Sequence, residues 1–190
     1  ISCYKGKKHG ELNLTKAFDK SCNGAFAEIG RNLDISAFES LADQLLFNKE
    51  LPLDFSYSKS SFSLEESDPD VLKMMTAIGQ GNTLVTPIHM AMLMSAIAND
   101  GVLMKPRFLE RTESYTGTLV ERYPEETYGS IMTQEEAELL QLFLRTVVED
   151  GTASALKSSI YEASGKTGTA EYSSDKKKSH AWFTGYATDG

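Results

Sequence analysis

Apolar residues recur with a helical period over much of the chain. From Asn13 they fall at Leu14, Ala17, Phe18, Cys22, Ala25, Phe26 and Ile29, one face of an amphipathic helix. Asn23-Gly24 interrupts the stripe with a turn pair, so the spacing predicts two short helices flanking a bend at residues 21–24. Ser36 with Glu39 reads as a capping box before a helix carrying Ala37, Phe38, Leu41, Ala42, Leu45 and Leu46. Residues 48–68, with six serines and isolated aromatics, read as a long irregular loop. Asp68-Pro69 and Thr86-Pro87 are two helix starts, an acceptor side chain before a proline. The first leads to a stripe through Val71, Met74, Met75 and Ile78, stopped by Gly79-Gln80-Gly81. The second leads into residues 88–98, apolar nearly all round and therefore a buried helix.

Asn99-Asp100-Gly101 ends that helix, and Pro106 makes residues 102–108 extended rather than helical. Residues 115–129 are weakly patterned. A second capping box, Thr133 with Glu136, opens a helix that runs to Asp150-Gly151. Two extended segments follow, around residues 163–172 and 181–187, joined by the polar stretch 173–179. No internal repeat is present. The expectation is α+β: a mostly helical body with a C-terminal antiparallel hairpin.

The chain has 190 residues, 41% of them hydrophobic, enough for one domain that buries roughly 70% of its unfolded surface. A net charge of −8 argues against a basic face that wraps nucleic acid. The longest apolar run, residues 88–98, is too short to span a bilayer. Cys3 and Cys22 alone cannot supply a four-ligand zinc site, and His9, His89 and His180 form no ligand pair along the chain. Neither metal nor cofactor is expected. Six of the seven methionines lie between Met74 and Met104 and read as core filler. Glu65-Glu66, Glu125-Glu126 and Glu135-Glu136 are adjacent pairs that face different sides of an element, and Lys176-Lys177-Lys178 reads as a solvated turn.

One segment concentrates chemistry: Ser164-Gly165-Lys166-Thr167-Gly168-Thr169-Ala170-Glu171. A lysine among glycines and hydroxyls offers an anion a fixed positive charge, small donors and close backbone approach. A phosphate loop would end in this Gly-Lys-Thr triplet, but it needs a glycine five residues earlier, where Ile160 stands. Far upstream, at the bend, lies Ser21-Cys22-Asn23. The ordered pair Ser-x-Asn then Lys-Thr-Gly resembles the active-site serine penicillin-recognising enzymes, whose third element is Ser-x-x-Lys. Residues 16–26, Gly79-Gln80-Gly81 with Thr86-Pro87, and residues 165–171 with Ala181-Trp182-Phe183 are similar to the transpeptidase domain of class B penicillin-binding proteins. The resemblance covers essentially the whole chain.

It implies an incomplete version of the penicillin-binding-protein and serine β-lactamase fold over residues 1–190, a single partial domain truncated at both ends. Ser21 would relay a proton to the leaving amine. Asn23 would hold the amide of a stem peptide or β-lactam, and Lys166 would attract the terminal carboxylate of D-Ala-D-Ala. Thr167 and Thr169 would donate hydroxyl hydrogen bonds to that carboxylate, Gly168 would leave room beside the strand, and the Thr169 N–H would be one oxyanion donor. Trp182 and Gly79-Gln80-Gly81 receive packing roles only.

Five Ser-x-x-Lys strings occur, beginning at Ser2, Ser56, Ser154, Ser173 and Ser174. Ser2 lies in a Gly/Lys-rich loop too close to Ser21, and the other four follow Ser21 in the wrong order, so the nucleophile is expected outside this sequence. The resemblance further implies a parent protein anchored in the bacterial membrane by an upstream segment and acting on peptidoglycan at its extracytoplasmic face. A missing sheet strand predicts pairing of two copies along the terminal hairpin. The competing readings are a serine β-lactamase or β-lactam sensor, and a non-catalytic scaffold of the same fold.

Overall fold

A computed structural model describes residues 1–3, 6–158, 160–172 and 178–189. Four helices come first, α1 (Leu14–Asp19), α2 (Asn23–Arg31), α3 (Ile35–Gln44) and α4 (Asp70–Ala77), then the buried α5 (Pro87–Ala98). Short strands β1 (Val102–Met104), β2 (Arg111–Glu113), β3 (Leu119–Arg122) and β4 (Thr127–Ser130) precede the long α6 (Gln134–Glu149). The chain closes with β5 (Tyr161–Glu171) and β6 (Ser179–Asp189). These form a regular antiparallel hairpin in which Lys166 faces Thr184 and Gly168 faces Trp182. The α+β reading holds. No helix among the described residues is long and apolar enough to cross a membrane.

Two helix starts differ from the sequence reading. Helix α3 begins at Ile35, and it is Asp34, not Ser36, whose carboxylate accepts the N–H of Ala37 at 3.0 Å. At α4, Pro69 occupies the cap position and Asp68 instead turns back to accept the Glu65 N–H at 2.7 Å. Thr86 caps α5 as expected, and Thr133 and Glu136 form the reciprocal capping box of α6. The expected turn pair Asn23-Gly24 instead opens α2, and the bend tightens to residues 20–22.

The structure also adds two small ladders, β1 with β4 and β2 with β3. Strand β1 buries Leu103 in the core, but most residues of β2 to β4 are exposed, β3 entirely so, and no alternation between a wet and a dry face marks those three in sequence. The polar stretch 173–177 and two of the Ser-x-x-Lys strings, at Ser173 and Ser174, lie outside the described residues.

The main core forms where α5 lies against α6, β1 and the Leu46–Leu51 turn, with Ala96, Leu103, Ala137 and Leu144 almost fully buried. A smaller cluster of Val147, Val148, Ala153 and Ala163 seats the hairpin on the end of α6. Phe18 touches both clusters and stacks on Phe143 with ring centres 5.5 Å apart. The first core thus fixes α5 and α6, and the second hangs β5 from α6.

His89 is a polar residue within the core, 1% exposed. Its Nε2–H donates to the carbonyl of Leu45 at 2.8 Å, satisfying the C-terminal end of α3, and its ring packs on Phe47 at 4.8 Å. Burial holds the imidazole below its ordinary range, so the folded chain keeps it neutral while the unfolded chain takes up a proton once pH falls through about 6.5. Stability should therefore be complete above that pH and decline below it, down to the lowered folded value. His89→Ala, which leaves a cavity and an orphaned carbonyl, should cost about 2–4 kcal/mol in urea unfolding at neutral pH and flatten the acid limb of the stability curve.

Candidate active site

The site is assembled at a turn. Helix α1 ends at Asp19, and the chain reverses through Ser21, whose φ of 50° is left-handed and uncommon for a residue with a Cβ. Backbone bonds impose that shape: Ser21 N–H reaches the Phe18 carbonyl at 3.1 Å and Cys22 N–H the Ala17 carbonyl at 2.9 Å. From the other side Thr152 N–H donates to the Asp19 carbonyl at 3.2 Å, tying the turn to the segment after α6. Asp19, fully buried and paired with Lys16 at 3.1 Å, is a support that sequence reasoning passed over. Its neighbours in sequence gave it no hydrophobic or catalytic pattern to stand out from.

Asn23 opens α2, and Phe26 follows on the same wall. Gly30 lets α2 approach α4 closely: a Cβ there would stand 2.2 Å from that of Ala77. This contact brings Ala77 and Ile78 opposite Ser21 and Asn23, and the open-sided pocket of about 200 Å³ is completed by Phe18 and Lys166. Three of the expected residues, Ser21, Asn23 and Lys166, thus line one cavity although 145 positions separate the first from the last.

Lys166 Nζ donates to Ser21 Oγ and, at 3.0 Å, to the carbonyl of Thr167. It also stands 5.8 Å from the centre of the Phe18 ring, within reach of its negative face. No carboxylate pairs with it among the described residues, and burial holds the ammonium below its ordinary pKa. Such an amine exchanges a proton with an adjacent hydroxyl more readily than an exposed lysine would, and keeps its cation unneutralised for an incoming anion.

The other expected residues sit beside the pocket rather than in it. The Thr167 hydroxyl shares a hydrogen bond with that of Thr152 at 2.7 Å. Gly168 and Thr169 are exposed; a Cβ on Gly168 would meet only the Trp182 side chain, at 3.4 Å. Asn23 Nδ2 donates to the Ser2 carbonyl at 3.1 Å. Gln80, given a packing role from sequence, makes a polar contact instead. Its amide donates to the Thr169 carbonyl at 2.9 Å and accepts the Glu171 N–H at 3.3 Å, occupying part of the strand edge as one residue of a parallel neighbour would. A glutamine in a glycine-flanked turn carries no local sign of such a long-range partner.

The sequence profile of the penicillin binding protein transpeptidase domain matches residues 1–190, and the chain belongs to that family. Among curated proteins it is 28% identical over 182 residues to "Penicillin-binding protein 3" of Bacillus subtilis, covering 93% of this chain and 26% of that protein. It is also 28% identical over 182 residues to "Peptidoglycan D,D-transpeptidase PbpA" of Mycolicibacterium smegmatis, covering 93% of this chain and 36% of that one. The chain therefore spans about a quarter to a third of the length of these relatives. The crystal structure of the D,D-transpeptidase domain of a peptidoglycan glycosyltransferase from Eggerthella lenta superposes with a TM-score of 0.85 at 25% identity, over 98% of this chain and 48% of that one. The type is that of the class B penicillin-binding proteins.

Two measurements probe this geometry. Gln80→Ala removes both bonds to the β5 edge and should lower stability by about 1–2 kcal/mol, with faster hydrogen exchange at the Glu171 amide as the local signature. The Lys166 side chain, followed by NMR, should lose its proton at lower pH than the lysine of an unstructured peptide; titration equal to the peptide's would show that the ammonium is not desolvated.

Proposed function

We propose that this chain is the Ser-x-Asn and Lys-Thr-Gly part of a serine-type D,D-transpeptidase that cross-links peptidoglycan stem peptides and is acylated by β-lactams. The observation that carries the reading is the contact of Lys166 Nζ with Ser21 Oγ in a pocket also lined by Asn23. The strand lysine supplies positive potential for the terminal carboxylate of D-Ala-D-Ala. Through its own hydroxyl, Ser21 passes a proton toward the departing amine while Lys166 steadies the transfer. The second Asn23 N–H and its carbonyl bind the peptide amide. Thr167 and Thr169 hydroxyls contact the carboxylate, Gly168 leaves the strand edge open, and the Thr169 N–H is one of two oxyanion donors.

The attacking serine belongs to a Ser-x-x-Lys helix outside this sequence, and its own N–H is the second oxyanion donor. In this reading the parent protein is membrane-anchored and acts on the extracytoplasmic face of a bacterial membrane. Strand β6 has no partner but β5 among the described residues, and a contact between two copies along that edge belongs to the same proposal. The meeting of Ser21, Asn23 and Lys166 in one pocket favours an enzyme over a scaffold of the same fold, which has no use for a desolvated lysine against a hydroxyl.

Labelling with a fluorescent penicillin tests the reading. The chain extended upstream through a Ser-x-x-Lys helix should become covalently labelled, and the 190-residue chain should not. Lys166→Ala in the extended chain should slow labelling by about 100-fold or more. Labelling of the 190-residue chain alone would place the nucleophile within it, and absence of label from both would favour the non-catalytic scaffold.

A further inference from the structure

Cys22, the middle residue of Ser21-Cys22-Asn23, does not face its site alone. Its sulfur lies 3.8 Å from that of Cys3, and the Cys3 sulfur lies 3.6 Å from His9 Nδ1. All three donor atoms fall within 4.8 Å of one another. Zinc bonds thiolate sulfur at about 2.3 Å and imidazole nitrogen at about 2.0–2.1 Å in a tetrahedron. Those lengths require donor separations of about 3.8 Å between two sulfurs and about 3.5 Å between sulfur and nitrogen. The Cys3–Cys22 and Cys3–His9 separations match these edges, and a small turn of the imidazole closes the third, which lies within 4.8 Å. A pair of cysteines poised only to bond each other would not need an imidazole nitrogen at the same spacing.

We propose that Cys3, His9 and Cys22 form a binding site for a divalent zinc ion, with water or a further donor at the fourth vertex. Two thiolates and a neutral imidazole are a borderline-soft set suited to Zn(II). Binding releases two thiol protons, and the paired negative charges cancel the charge of the ion, so none is added beside Lys166. Cys22 is buried, whereas Cys3 and His9 are half-exposed, so the ion enters from the side of the first ten residues.

The consequence is structural. One ligand sits next to Ser21, whose left-handed φ has to be held against its intrinsic cost. The other two come from the segment whose Ser2 carbonyl accepts from Asn23. The ion would clamp Cys3 and His9 onto the serine turn and set the position of the two side chains on either side of Cys22. Spacing along the chain gave no sign of this site, because three ligands spread as Cys-x5-His-x12-Cys match no zinc motif.

Metal binding is read directly, so its outcome is independent of whether the chain transpeptidates. The reduced chain, freed of metal with a chelator, is titrated with Zn(II) and with Co(II). One equivalent should bind, the Co(II) form should show thiolate charge-transfer absorption and tetrahedral ligand-field bands, and zinc should raise the Tm. Cys3→Ser and His9→Ala, both outside the buried core, should each weaken binding by at least about 10–100-fold with unchanged circular dichroism, while His180→Ala should bind as the parent does. Failure of the reduced, folded chain to bind either metal would overturn the proposal. So would binding that survives both substitutions, or a Cys3–Cys22 disulfide whose reduction leaves the chain still unable to take metal.

Discussion

A hairpin of two strands cannot hold itself in water, and the site depends on how β5 is kept in place. Among the described residues the strand that carries Lys166 has one strand neighbour, β6. Its packing support is α6. Arg145 donates to the Ala163 carbonyl at 3.1 Å, and Val147 and Val148 bury Ala163 beneath it. Because the same helix end leads through Gly151 to Thr152, which holds the Asp19 carbonyl and shares a hydrogen bond with Thr167, one element sets the distance between strand and serine turn. The contact of Lys166 with Ser21 is the result of that bracing rather than its cause, since a single partly buried hydrogen bond contributes far less than the apolar burial around α6.

The electrostatic arrangement follows from the same packing. The chain carries a net charge of −8, yet the neighbours of Lys166 are a hydroxyl, a backbone carbonyl and an aromatic face. Acidic groups near the turn are engaged elsewhere: Asp19 and Asp150 both bind Lys16. A carboxylate beside Lys166 would raise its pKa and neutralise it toward anions. The observed surroundings do the reverse, penalising the cation by burial without cancelling it. Phe18 matters twice here, because it joins the two apolar clusters and presents its ring face to the ammonium.

Much of this was legible in the sequence where the signal is local. The stripe of residues 88–98, the Thr133–Glu136 box and the two extended C-terminal segments each reflect interactions between near neighbours, and each element formed as read. Where the signal is shared between adjacent candidates, the reading slipped by a residue or two. Asp34 and Ser36 both suit a cap, and the one whose carboxylate reaches Ala37 prevails. Strand β1 lies in the segment read as extended and buries Leu103 in the core, whereas β2 to β4 were missed because mostly exposed strands in two-stranded ladders impose no alternation. Ser21, Asn23 and Lys166 were found through an ordered pair of tripeptides, whereas Gln80, Asp19 and the grouping of Cys3, His9 and Cys22 depend on contacts that only the folded chain creates.

The polar edge of β5 shows why the site has the extent it has. In an antiparallel pair alternate residues turn their N–H and C=O outward, and here the Ala163, Thr167 and Thr169 carbonyls and the Glu171 N–H all meet groups from outside β6. Arg145 takes the outward carbonyl at one end of the row and Gln80 takes two groups at the other. Between them lie Gly165, Thr167 and the Thr169 N–H, alongside the pocket that holds Ser21 and Lys166. A ligand adding to this edge is therefore confined to a short stretch directly beside the lysine. If it pairs with Thr169 through both N–H and C=O, it must share the carbonyl with the Gln80 amide, which the oxygen's second lone pair permits. Gln80 and Arg145 thus do for this edge what a neighbouring strand would do elsewhere. They satisfy its ends and leave open only the part that faces the chemistry.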